Sequence, residues 1–173
     1  MISLTDDKVY ITYLLKEQLP FNKENIHTVI GNRGAINKPL SAWWGSPADA
    51  GWGWKEWCEC NHFCLDEYDW DNPIRWRLKP NSKILRIDMD DVKDEHNSNL
   101  NKYLSMNDIY KGMPFNRFML ELDFNKILDD DIVAIELLDG SIGHRFINSL
   151  ETMFNSWDCE SIVVLDESKI EFI

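Results

Sequence analysis

The chain has 173 residues, 44% of them apolar and 28% charged, with a formal net charge of −12. That size and balance describe one globular domain, 1–173, large enough for a real core. The acidity argues against direct nucleic-acid binding, since phosphate contacts need a basic face, and no apolar run approaches the roughly 20 residues that span a bilayer.

The N-terminus, MISLTDDKVY, has no basic segment followed by an apolar one, so no signal peptide and a cytoplasmic location are expected. The four cysteines are then reduced. Lys8 to Leu15 is β-branched and aromatic and reads as a strand, with Tyr10 and Thr12 on one face. Gly31 to Gly34 reads as a hinge. Pro39 to Gly45 reads as an extended piece ending in a turn at Ser46-Pro47, because the residue before a proline is pushed to extended geometry. Pro47 to Cys64 reads as partly helical, with Ser46 or Asp49 as its cap. Lys83 to Met89 alternates as a strand, and an acidic loop follows over 88–95. Ser98 to Asn107 reads as a short helix. Phe118 to Phe124 alternates less cleanly. Asp129 to Asp131 leads into Ile132 to Leu138, a buried strand, and a turn at Asp139-Gly140. Arg145 to Asn155 has helical spacing. Ser161 to Leu165 and Lys169 to Ile173 read as strands. Short strands without regular βαβ spacing favour an α+β fold.

Seven of the eight tryptophans and three of the four cysteines fall between Asn37 and Trp76. Indole rings are large and carry an N–H that wants a partner. Such a block reads either as the aromatic wall of a ligand site or as a core patch under a long loop. Arg33, Lys38, Arg75 and Arg77 flank it. They suit contacts to ligand phosphates, or pairing with nearby acids.

Cys58, Cys60, His62 and Cys64 are zinc-type donors, but their spacing is not that of paired knuckles, and one helix cannot turn all of them to one ion. No metal site is therefore assigned. Asp158 and Glu160 stand immediately before an apolar strand. If extended geometry begins at Asp158, both carboxylates share one face. They could then grip a sugar hydroxyl or stabilise a cationic sugar transition state. No P-loop, GxGxxG or nucleophile elbow is present.

Three segments taken in order, VYITYLL, AWWGSP and DCESIVVL, resemble the three-part layout of the ADP-ribosyltransferase superfamily. The resemblance implies split antiparallel β-sheets with flanking helices and NAD, as substrate, in the cleft. It implies Glu160 as the catalytic acid with Asp158 in the preceding acid position. It places Ser46 and Trp44 at the nicotinamide side, with Trp54 and Thr12 also about NAD. Departures are visible. The family's first strand carries Arg or His, where this chain offers Tyr10 and Thr12; the second segment lacks the Ser-Thr-Ser triplet; and Asp158 stands where Glu is usual. The stretches KPLSAWWGSPADAGWGWKEWC and WDCESIVVLD are also similar to uncharacterised proteins of bacteriophages and their hosts.

The resulting expectation is a phage- or prophage-type transferase that moves ADP-ribose onto a macromolecular target, a protein rather than a nucleic acid. Two alternatives remain open. One is a non-enzymatic acidic inhibitor that covers a basic, nucleic-acid-binding face of a host-defence protein, using 88–95 and 129–131. The other is a pocket that sequesters a nucleotide without turnover.

Overall fold

The computed structural model describes residues 2–32, 38–88, 99–106, 112–113, 120–138, 154 and 157–173. In chain order the strands are β1 (Ile2–Leu4), β2 (Tyr10–Thr12), β3 (Val29–Asn32), β4 (Pro39–Ser41), β5 (Trp43–Pro47), β6 (Ile74–Leu78) and β7 (Lys83–Ile87). They continue with β8 (Leu104–Met106), β9 (Leu120–Leu122), β10 (Ile132–Leu137), β11 (Ser161–Val164) and β12 (Ile170–Phe172). Among the described residues two α-helices join them, α1 (Trp54–Asn61) and α2 (Phe124–Asp129). The fold is therefore α+β, as the sequence led us to expect. No helix among the described residues is long and apolar enough to cross a membrane.

Eight strands form one sheet in the order β1-β7-β10-β11-β5-β2-β6-β12. β7 and β10 are parallel; the other neighbours are antiparallel. At the centre, β10 (IVAIEL) and β11 (SIVV) are buried at every position. Strands covered on both faces need apolar residues at successive positions, which is why these two show no clean alternation.

Each face of the sheet carries a core. One gathers Ile87, Ile135, Leu137 and Val163 under Phe124 and Ile127 of α2. The other gathers Tyr10, Trp43, Trp76, Ala134, Ile162 and Val164. Within this second core lies Glu136, fully buried. Its carboxylate accepts from Arg86 Nε at 2.7 Å and Tyr10 OH at 3.2 Å, and pairs with Lys8 Nζ at 2.8 Å. In strand order β2 is three places from β10, so the Tyr10–Glu136 contact requires the sheet to coil across this face.

Several local expectations change. The strand read over Lys8 to Leu15 contracts to Tyr10–Thr12. Ser46-Pro47 is not a turn: it is the end of β5, paired with Ile11 and Tyr10, and the turn follows at Ala48-Asp49. A proline is tolerated there because the strand ends with it. The helix read over Ser98 to Asn107 is a 3-10 turn, Asn99–Tyr103, leading into β8. Helix α2 escaped the reading altogether. It starts where the Asp123 side chain accepts the Lys126 N–H, an N-cap hidden by the mixed pattern around it. The Arg145 to Asn155 helix, the Asp139-Gly140 turn and the acidic loop beyond Asp88 fall almost wholly outside the described residues. Of the second acidic run, Asp130 is engaged by Lys102 and by the Tyr103 hydroxyl, and Asp131 pairs with Lys83.

Candidate functional site

β5 changes partners along its length. Trp43, Trp44 and Gly45 pair with Val164, Val163 and Ile162 of β11. Ser46 and Pro47 pair with Ile11 and Tyr10 of β2. The pairing passes over between Gly45 and Ser46, and the flanking strands diverge there. A cavity of about 330 Å³ occupies the divergence.

Glycine is required at the handover. A Cβ on Gly45 would stand 2.8 Å from both the Ile11 carbonyl oxygen and the Trp76 ring, inside van der Waals contact. The Thr12 side chain completes the junction. Its hydroxyl donates to the Trp44 carbonyl and accepts the Trp76 indole N–H at 2.9 Å. A hydroxyl thus ties β2 to β5 where the backbone ladder is interrupted.

Rings wall the cavity. Trp44 meets Trp157 edge to face, with centroids 4.8 Å apart. Trp54, from the first turn of α1, and Tyr68 close another side. Trp54 is itself stacked on Trp57 at 5.2 Å and 10°, so its ring is braced from behind. Ser46 sets this helix in place. Its Oγ accepts the Trp54 N–H at 3.0 Å, filling one of the donors that a helix N-terminus leaves open. Gly53 permits the approach: a Cβ there would lie 3.2 Å from that of Ser46.

The polar groups of the lining are Thr12, Ser46, Ser161, Lys38, Asp158 and Cys159. Lys38 Nζ sits 5.2 Å from the centroid of the Trp44 ring, within cation–π range. Burial pushes the Cys159 thiol up to about 12, and the Asp158 charge acts in the same sense; the Ser46 hydrogen bond and Lys38 oppose it. The thiol is therefore protonated at neutral pH and is no nucleophile.

Thr12, Trp44, Ser46, Trp54 and Asp158 are thus brought together. Glu160 is not among the lining residues. Extended geometry does not begin at Asp158: the strand starts at Ser161, with a bend at Cys159-Glu160. The Glu160 N–H is drawn instead to the Trp52 carbonyl at 3.0 Å. The extended backbone that would have set the two carboxylates on one face is therefore absent across 158–160. Asp158 is the one at the cavity.

Trp157, Tyr68, Tyr13, Cys159 and Ser161 also line the cavity without having been singled out. Trp157 offered a signal, as the one tryptophan outside the block and the neighbour of Asp158. Tyr68 and Tyr13 offered none, since their place depends on the path of the loop after α1. Among the cysteines, Cys58 is buried and Cys60 exposed, while Cys64 is half-buried at a φ of 48°. Burial lifts the Cys58 thiol to about 11. Among the described residues no group of three or more His, Cys, Asp or Glu is placed to hold a metal ion.

Such a cavity has room for a flat ring beside its indoles, with one carboxylate and one ammonium among its lining groups. In an environment lined by rings, a fixed carboxylate stabilises developing positive charge more strongly than it does in water. Comparison of the chain with protein-family models, with curated proteins and with solved structures finds no match.

Proposed function

We propose that the chain is an NAD-consuming ADP-ribosyltransferase that binds the nicotinamide end of its substrate in this cavity and passes ADP-ribose to a macromolecular target, a protein. One observation carries the reading. The segments VYITYLL, AWWGSP and DCESIVVL supply β2, β5 and β11, three consecutive neighbours in the sheet, and the cavity lies where they part. A division of the antiparallel sheet at β5, with a substrate cleft at the division, is the arrangement that the resemblance implies.

The residues present fit the substrate. A volume of about 330 Å³ is at the small end of ligand pockets, so it takes a nucleoside-sized part of the dinucleotide. The indoles of Trp44 and Trp54 exclude water from the reacting bond. The Thr12 and Ser161 hydroxyls already give their protons to the Trp44 and Cys159 carbonyls, so toward an amide or a ribose they act as acceptors. In the reaction the bond between nicotinamide and ribose C1′ breaks, and its electron pair neutralises the pyridinium. The target's nucleophile then bonds to C1′ and loses its proton to solvent. Asp158 takes the charge-stabilising role that the resemblance gives to Glu160, because it is the carboxylate at the cavity.

Incubation with NAD, followed by assay of free nicotinamide and mass spectrometry of the protein fraction, tests this. Nicotinamide release is expected, and Asp158→Asn should slow it by about 10²- to 10³-fold, the cost of one electrostatic stabiliser. Binding without release by the parent chain would identify a sequestering pocket. Absence of both binding and release would overturn the reading.

A further inference from the structure

Four basic residues flank the tryptophan block, and the structure separates them. Arg33 lies outside the described residues. Arg77 is held by Glu171, its Nε 2.6 Å from the carboxylate. Arg75 is exposed on β6 and does not line the cavity beside Trp44. Of the three described, only Lys38 lines it.

The local backbone fixes where Lys38 enters. It directly precedes Pro39, the first residue of β4, and the residue before a proline is driven to extended geometry. Pro39 is buried, so the chain is anchored immediately after the lysine. Lys38 itself is half-buried, as suits a stem that packs on apolar surface while its ammonium keeps contact with water. Nζ stands 5.2 Å from the centroid of the Trp44 ring.

Among the described lining residues Lys38 is the one cation and Asp158 the one carboxylate. Both charges reach the same wall. Burial raises the Cys159 thiol most; the Asp158 charge adds to that rise and the Lys38 charge opposes it. A ligand entering here therefore meets two charges of opposite sign.

A dinucleotide of the proposed kind is also two-ended. Its nicotinamide ring carries a positive charge, and one ribose away its pyrophosphate carries negative charge. A cavity of about 330 Å³ takes the ring and its ribose, which leaves the phosphates at the mouth. Phosphate set beside Asp158 would be repelled, and more strongly in a partly dry site than in water.

We propose that Lys38 determines specificity at this site: its ammonium holds the phosphate on the nicotinamide ribose and so turns the pyridinium ring toward Asp158. An ammonium binds phosphate as a compact point charge, without the fixed fork of a guanidinium. The inference rests on the transferase reading for the identity of the ligand. It adds what the site requires of that ligand, a phosphate one ribose from the ring, whether or not adenosine follows.

The test compares nicotinamide riboside with nicotinamide mononucleotide, which differ by the phosphate. Binding of each to the full chain is measured by calorimetry at low salt. The mononucleotide should bind about tenfold more tightly, the worth of one charge-assisted hydrogen bond at a half-exposed group. Lys38→Gln should erase that preference by weakening the mononucleotide about tenfold, with riboside affinity unchanged. Lys38→Arg keeps the charge and should keep the preference. In NAD turnover the loss in Lys38→Gln should fall on KM rather than on kcat. A lysine that only braced the Trp44 ring would weaken both ligands alike. Equal weakening therefore overturns the proposal, as does an undiminished preference in Lys38→Gln or equal binding of the two ligands by the parent chain. Failure of the transferase reading looks different. A Lys38-dependent preference for the mononucleotide, without nicotinamide release from NAD, removes the transferase and upholds the phosphate contact. If neither ligand binds at millimolar concentration, both fall.

Discussion

Glu136, in β10, and Asp158, at the entry to β11, each stand beside aromatic rings with a cation nearby. Around Glu136 every partner has closed in. Arg86, Lys8 and the Tyr10 hydroxyl reach its oxygens within 3.2 Å, and no solvent does. Around Asp158 the rings of Trp157 and Trp44 stand back, and a cavity remains. The two surroundings share their ingredients and differ in completion. A carboxylate whose oxygens are all filled holds strands together; one set at the wall of a cavity has capacity left for a ligand.

The largest test of this contrast is Glu136→Gln. It leaves Arg86 and Lys8 facing a neutral amide in a buried place. Removing one member of a buried ion cluster costs about 3–5 kcal/mol. Here the Arg86 and Lys8 side chains keep 20% and 25% exposure, so we expect about 2–3 kcal/mol by chemical denaturation. Nicotinamide release per folded molecule should not change. A loss near zero would mean that the cluster is an accident of packing.

Gly45→Ala comes next. The added methyl meets backbone and an indole rather than a flexible chain end, so β2 and β5 must move apart. About 2 kcal/mol is expected, the usual cost of overpacking. Because the cavity is formed at that junction, NAD binding should fall with stability. Retention of binding would show that the handover between strands does not shape the site.

Alkali probes the same wall. The Cys159 thiol is raised from the ordinary 9.0 to about 12, chiefly by burial. The folded state then keeps a proton that the unfolded state gives up. Stability is intact below pH 9 and declines as pH rises from there toward 12. The slope from this thiol is at most about 1.4 kcal/mol per pH unit. Cys159→Ala should flatten the decline; an unchanged slope would mean that the thiol is not sealed in.

Smaller still is Ser46→Ala, at about 1 kcal/mol, the value of a helix-capping side chain. The measurement is thermal unfolding. The same change should lower NAD affinity, because Trp54 depends on that cap for its place at the cavity.

How much of this the residues announced depends on the range of the interaction. β10 and β11 were plain, because a strand buried on both faces writes itself as an apolar run. Pro39 to Gly45 was legible as extended chain, but its end was misplaced. The pairing of Ser46 with Ile11 lies 35 residues away in sequence and overrides the local turn preference of a proline. The tryptophan block divides between core and cavity wall. Trp43 and Trp76 belong to a core, whereas Trp44 and Trp54 line the cavity. Nothing in the order of the residues separates them; only the alternation of faces along β5 and the docking of α1 do. The Asp158/Glu160 pair shows the opposite limit. Its spacing was informative only on the assumption of extended backbone, and a bend at Cys159-Glu160 removed it.

The smallest expected effect is the sharpest one. Asp158→Asn preserves shape and removes a single charge, the same chemical change as Glu136→Gln. Asp158 is half-buried at the margin of a cavity, so water can solvate it in the free protein. Stability should therefore move by no more than about 0.5 kcal/mol, the range for substitutions that leave no buried charge behind. The cost should appear in nicotinamide release instead. If Asp158→Asn destabilises the fold as much as Glu136→Gln does, both carboxylates are structural, and the cavity loses the charge on which its chemistry depends. If it alters neither stability nor release, the working carboxylate must be sought at Glu160.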